Sequence, residues 1–230
     1  MSFCEHVSLR TFGPVILLSL LFFFDTSDMI AQINVKIGYT AANPDFSEAD
    51  NLLNSYAIEG GEVTKAFGEL NFIHGIQLGL RYRFGNTAIE AGWESMNRDR
   101  NALIFVESND AFVERNYRYG ANAYSIGFDN YFGAWGVGSS LLSQSFKIDR
   151  KIGDNDLRIL KDRDYHLRFH LIWQIQESRK VGFYLKPFYQ FSLGEYDLTG
   201  LADDLNATGY DTSMKPSMFG VTIVFYNGRQ

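Results

Sequence analysis

The feature that most constrains this chain is a period-two alternation, repeated along most of its length, in which the charges keep to one face. Ile33, Val35, Ile37 and Tyr39 alternate with Asn34, Lys36, Gly38 and Thr40. Ile76, Leu78, Leu80, Tyr82 and Phe84 alternate with Gln77, Gly79, Arg81 and Arg83. The pattern returns at 89–94, 123–129, 135–141, 166–175, 181–193 and 219–226, which makes eight segments. Side chains of a strand point alternately to opposite faces, so each segment is expected to be a strand with one apolar and one polar face.

No charged residue stands on the apolar face of any of the eight. Lys36, Arg81, Arg83, Glu90, Glu94, Asp129, Arg168 and Lys186 all occupy the other face, together with His166 and His170. A water-soluble barrel or sandwich shows the reverse, an oily interior with charges outside. The pattern therefore predicts an all-β fold: an antiparallel, up-and-down transmembrane β-barrel of eight strands, apolar face to lipid and ionic face enclosed. An Arg or Lys at mid-bilayer costs about 2–4 kcal/mol, reason enough for their absence from the apolar face. No apolar run after Phe24 is long enough for a membrane helix, which is expected of barrel strands.

Connection lengths alternate as such a barrel requires. Short turns are expected around Gly85-Asn86, Phe132-Gly133 and 177–180, on the periplasmic side. Long polar extracellular connections are expected at 41–69, 147–163 and 195–215. A two-residue turn at Gly85-Asn86 sets Arg81 against Glu90, Gln77 against Glu94, Tyr82 against Ile89 and Leu78 against Trp93, so charge meets opposite charge and apolar meets apolar. The Phe132-Gly133 turn sets Phe128 against Val137. A turn at 107–110 keeps Trp93 beside Tyr124 and places Phe105 against Phe112 and Arg100 against Tyr117, which predicts a hairpin continuing well above the bilayer. Pro187, inside the seventh segment, lacks an N–H and predicts a bulge or a missing ladder bond.

Residues 1–31 have the layout of a secretory signal. Arg10 supplies the n-region, and the run Val15 to Phe24, apolar but for Ser19, is an h-region too short to span a bilayer as a helix. Cleavage is placed after Ala31, leaving residues 32–230 as the barrel. The single cysteine, Cys4, precedes the h-region, so the mature chain carries no disulfide, thiol nucleophile or Cys-ligated metal. A net charge of −6 with no basic run excludes nucleic acid as a partner.

This layout resembles the small outer-membrane barrels of the OmpX/OmpW type, and especially the "outer membrane protein beta-barrel" families common in Bacteroidota. The resemblance covers residues 31–226. It is carried by the Ala31-Gln32 junction, the eight segments, aromatics placed for the membrane interface (Tyr82, Phe84, Trp93, Trp135 and Trp173) and a last strand ending Val224-Phe225-Tyr226. It implies a bacterial outer-membrane location, insertion by the barrel-assembly machinery, and outer-membrane lipid and lipopolysaccharide as surroundings. It fixes no function.

The best-defined polar cluster is Arg81, Arg83, Glu90 and Glu94, joined in the lumen by Arg168, His170 and Lys186. It is either a charged binding site or a salt-bridge network filling an interior just wide enough for side chains. His166 and His170 lie about 13 Å apart by strand rise, too far to share a metal. The His-x-Ser pattern of outer-membrane lipid A deacylases is absent, so no catalytic site, metal or cofactor is expected. His74 is expected at the outer rim without a visible partner. The acidic residues of the long connections, Asp45, Glu48, Asp50, Asp197, Asp203, Asp204 and Asp211, are expected in solvated loops. The functional expectation is a non-catalytic barrel acting through its extracellular loops and protruding hairpin, in adhesion, envelope integrity or binding of a protein partner. Alternatives are OmpW-like transport of a small apolar solute, an accessory barrel of a secretion system, and a soluble lipocalin-like carrier.

Overall fold

The computed structural model describes residues 32–55, 61–106, 110–152, 155–177 and 181–227. The expected signal segment lies outside the described residues, as do 107–109 of the predicted upper turn and 178–180 of the third short turn.

Eleven strands occur among the described residues: β1 (Gln32–Asp45), β2 (Gly61–Lys65), β3 (Ile73–Phe84), β4 (Thr87–Val106), β5 (Ala111–Phe132), β6 (Trp135–Ile152), β7 (Asn155–Glu177), β8 (Val181–Ser192), β9 (Tyr196–Asp197), β10 (Ser213–Met214) and β11 (Ser217–Asn227). Two helices, α1 (Ser47–Asn54) and α2 (Thr199–Leu205), interrupt them. Eight strands pair antiparallel in the order β4-β3-β1-β11-β8-β7-β6-β5, and β4–β5 pairing closes the barrel. The predicted registers of β3–β4 and β4–β5 are those observed, including Arg81 opposite Glu90 and Phe105 opposite Phe112.

The β5–β6 register differs from expectation. Phe132 pairs with Trp135, so the turn is Gly133-Ala134 and Phe128 lies opposite Ser139 rather than Val137. The first residue of this tight turn needs a positive φ, which Gly133 adopts at 68° and Gly85 at 58° in the β3–β4 turn. The pairing moves by two residues, so every side chain keeps its face. Of the 147–163 segment, expected as a loop, the described residues 147–152 and 155–163 are instead the upper parts of β6 and β7, with a register shift at Ile148/Asp149. At Pro187 the β7–β8 ladder passes from His170–Phe188 to Trp173–Leu185 and skips Leu171 and Ile172, as a residue without an N–H requires. The bulge proper falls farther along, at Gln174/Gln176.

The faces segregate as the alternation demands. Ile33, Leu80, Ile126, Leu171 and Phe219 point outward, exposed, and form an apolar belt. Arg81, Glu90, Glu94, Asp129 and Lys186 are buried inside. Aromatics edge the belt. Trp135 and Trp173 stack at 5.3 Å beside the short turns, and on β3 Tyr82 and Phe84, whose rings lie 5.8 Å apart, stand beside another short turn. Trp93 pairs with Tyr124 at the other edge.

Beyond that edge β4 to β7 continue as a tall wall, and the long connections fold against its inner side. Phe46, Leu52 and Leu53 from the first connection, Phe67 and Leu70 beyond it, and Leu198, Leu201, Leu205 and Met214 from the last pack with Tyr117, Tyr119, Phe146 and Ile148 into one apolar core. This corrects the expectation of solvated loops. Asp50 on α1 pairs with Arg100 of β4 and accepts the Leu70 N–H at 2.8 Å. Asp204 on α2 accepts from Arg150 at 2.5 Å and from the Tyr117 hydroxyl at 2.7 Å. Each helix is thus bolted to the wall by a carboxylate and capped onto it by leucines. Leu201 is fully buried there, so Leu201→Ala is expected to cost about 2–5 kcal/mol locally. Amide hydrogen exchange should accelerate in α1 and α2 and stay unchanged in the belt segments of β3 and β11.

Candidate functional site

The enclosed face is organised in tiers. Nearest the short turns, Arg81 bonds the Asn34 Oδ1 at 3.1 Å and the Tyr131 hydroxyl at 3.2 Å. Its guanidinium lies 3.7 Å from the Tyr226 ring centroid and 5.4 Å from that of Tyr184, a cation held against aromatic faces. Arg83 stands at the rim of this end, over Tyr131 at 4.6 Å and donating to the Gly85 carbonyl at 3.2 Å.

In the middle tier Glu90 accepts from Lys36 at 2.9 Å and from Lys186 at 2.8 Å, and also from the Tyr226 hydroxyl. Lys186 reaches Asp129 at 2.7 Å, and Asp129 meets His170 Nε2 at 2.7 Å. Gly138 lies opposite His170, and a Cβ there would run into both His170 and Asp129. The next tier centres on Glu94. Arg168 grips it through both terminal nitrogens, at 3.1 and 2.8 Å, and Gln77 and Thr40 complete its acceptor sites. Arg168 also bonds Gln190 at 2.9 Å. Gln190 leads to Gln144 and His166, and His166 Nε2 meets the Tyr196 hydroxyl of the cap at 2.8 Å. Buried charges of this kind are tolerated because each has partners.

All seven residues singled out from the sequence line this interior or its rim, but the ion pairs of the network join strands that are not neighbours in the sheet. Although Glu90 faces Arg81 across the ladder, its carboxylate turns to Lys36 and Lys186, from strands on other sides of the lumen. Lys36 and Asp129 belong to the network as fully as the seven, and their position on the polar face was the signal for them. Tyr184 and Tyr226 follow from the same parity, whereas Tyr131 and Tyr196 lie outside the alternating segments and were harder to find, because a tyrosine suits either face. His74, expected without a partner, meets the Tyr39 hydroxyl at 2.8 Å on the outer surface.

Between the two charged tiers a cavity of about 30 Å³, lined by Lys36, Glu90, Arg168, His170 and Lys186 among others, has room for about one or two waters. Among the described residues no group of three or more His, Asp or Glu is placed to hold a metal. The arrangement can fix the strands around it and block the bore.

Outside the belt, the exterior of the tall wall carries its own ionic lattice. Arg118 bonds Asp99 at 2.8 Å and reaches Asp156 at 3.5 Å, and Lys151 reaches Asp99 at 3.2 Å. The hydrogen bond from Arg118 holds the Asp99 carboxyl below its usual range. Inside the cap, burial and the bond to Asp204 push the Tyr117 hydroxyl well above its ordinary value.

No family model matches the chain, and no curated protein matches it. Among solved structures it is similar to Neisserial surface protein A, with a TM-score of 0.44 and 8% identity over 84% of this chain and 97% of that one. It is similar to Ail, the attachment invasion locus protein of Yersinia pestis, with a TM-score of 0.47 and 11% identity over 84% of this chain and 97% of that one. It is also similar to the outer membrane protease OmpT of Escherichia coli, with a TM-score of 0.36 and 11% identity over 88% of this chain and 99% of that one. These are likenesses of overall barrel shape, and activity is a separate matter.

Proposed function

We propose that this chain is a non-catalytic outer-membrane β-barrel that acts through the structured surface at its long-loop end, in adhesion, envelope integrity or binding of a protein partner. The observation that carries the reading is the double closure of the bore. The ionic tiers fill it, and the α1–α2 cap, with its apolar core, seals one mouth. What remains for function is the outer surface, and the tall β4–β7 wall is its most extended part. In this reading residues 1–31 direct export and are removed, and the barrel-assembly machinery inserts the chain into a membrane of lipopolysaccharide and phospholipid. The short turns then face the periplasm.

Passage of a small apolar solute has one observation in its favour, an open cleft on the belt at Pro187. Behind that cleft stand His170, Asp129 and Lys186, an ionic wall that an apolar solute would have to cross.

The reading is tested by fractionation with heat-modifiable gel migration and by planar-bilayer recording. The mature chain should partition into detergent, migrate differently before and after boiling, and give no single-channel steps. Recovery from the periplasm without detergent, or a stable conductance, would overturn it. The upper hairpin cannot be removed whole in such work, because Arg100, Ala102, Tyr117 and Tyr119 on its inner side belong to the cap. Substitutions on its outer side, such as Asp99→Ala with Arg118→Ala, address the surface without opening the cap.

A further inference from the structure

On the exterior of β6 and β7, just beyond the belt, Lys147 and Lys161 sit directly opposite each other in the ladder. Arg163 follows two residues along β7, on the same face and exposed, opposite Ser145. Like charges directly opposite one another on paired strands repel. Among the described residues no carboxylate lies within ion-pair distance of any of the three. The nearby acids among the described residues are engaged elsewhere. Asp149 pairs with Arg158, and Asp99 and Asp156 with Arg118. Asp162 and Asp164 point to the other face of β7, where they accept from Asp197 N at 3.0 Å and Gly194 N at 2.8 Å. Three cations are therefore left facing outward with no carboxylate of the described residues to neutralise them.

Their height is specific. Tyr165, the last aromatic of the belt on β7, lies two residues below Arg163 and four below Lys161. With a strand rise of about 3.3 Å and a tilt of about 35–45°, the cations stand about 5 and 10 Å beyond the hydrocarbon edge, at headgroup level. Below them Tyr165, Leu167, Phe169 and Leu171 run down the same face as a continuous apolar track. The track ends in the cleft at the Pro187 gap, a hollow of about 500 Å³ lined by Val137, Phe169, Leu171, Pro187 and Tyr189 among others. Leu171 is about 15 Å below the belt edge by the same arithmetic, where the ends of outer-leaflet acyl chains lie.

We propose that the β6–β8 wall is a binding site for a phosphorylated, acylated lipid of the outer leaflet, its phosphate held by Lys147, Lys161 and Arg163 and an acyl chain seated in the cleft at Pro187. The cations supply charge complementarity, and the track joins them to the cleft without a polar break. The proposal rests on the outer-membrane reading and names the lipid that the surface selects.

The test is native mass spectrometry of the mature chain released from phosphatidylcholine nanodiscs doped with lipid A or with dephosphorylated lipid A. Lipid A should be retained and its dephosphorylated form lost. The triple variant Lys147→Gln, Lys161→Gln, Arg163→Gln should bind lipid A about a hundredfold more weakly, as expected for three cation contacts at a membrane surface. Leu171→Trp, which fills the cleft while leaving the cations, should weaken retention about tenfold. Equal retention by the triple variant, or of the dephosphorylated lipid, overturns the site. Undiminished retention by Leu171→Trp overturns the acyl-chain seat. Heat-modifiable migration of each variant reports insertion. A wild-type chain that fails to insert overturns the outer-membrane reading together with the site, whereas insertion without retention overturns the site alone.

Discussion

Replacing Glu94 with alanine should destabilise the barrel by about 3–5 kcal/mol, the cost of leaving a buried partner charge uncompensated. Arg168 has both terminal nitrogens on Glu94 and its remaining bonds to Gln190, a neutral acceptor. Its guanidinium lies 4.3 Å from the Phe188 ring centroid, well away from bulk water. Without the carboxylate it must either stay buried and charged or pull water into the middle of the wall. The double replacement Glu94→Leu with Arg168→Met removes both charges and keeps the volume, so it should recover most of the loss, since apolar substitutes for a buried ion pair are often neutral or better. Urea titration in lipid vesicles, followed by tryptophan fluorescence, measures both. A single variant within about 1 kcal/mol of wild type would mean that Glu94 is neutral or well hydrated in the native state.

That pairing also marks where sequence reasoning stops. The face that Glu94 occupies follows from parity alone, and its ladder partner Gln77 follows from the Gly85-Asn86 turn. Arg168 lies 74 residues away on the far side of the lumen, and only closure of the barrel brings the two together. Glu90 shows the same limit, with Arg81 its neighbour in the ladder and Lys186 its partner in space. The cap was obscured for another reason. Its helices have 8 and 7 residues, too short to declare themselves by propensity, and the acids that dock them look like solubilising charges in the sequence. The retrievable signal was Ala49, Leu52 and Leu53, spaced to share one helix face. The upper part of β6 and β7 was lost as strand because the register shift at Ile148/Asp149 breaks the alternation there, whereas the upper β4–β5 hairpin keeps its register throughout and was legible.

The largest effect on the outer surface should come from Ile126→Arg. Ile126 points outward from β5 between Ala91 and Leu141, 59% exposed, in the middle of the belt. By exposure alone the change is harmless, since surface substitutions usually fall within about 0.5 kcal/mol. Against hydrocarbon it should cost about 2–4 kcal/mol, because the guanidinium must be desolvated or must draw water and headgroups inward. Leu157→Arg is the control. Leu157 is 46% exposed on β7, above the belt, in a stretch already rich in charge, and should change stability little. Two leucine-sized side chains with similar accessibility should therefore respond differently to the same substitution, and burial cannot account for the difference. If urea unfolding in vesicles gives the two variants the same stability, the belt does not face lipid, and the enclosed charges would need another explanation than a membrane outside them.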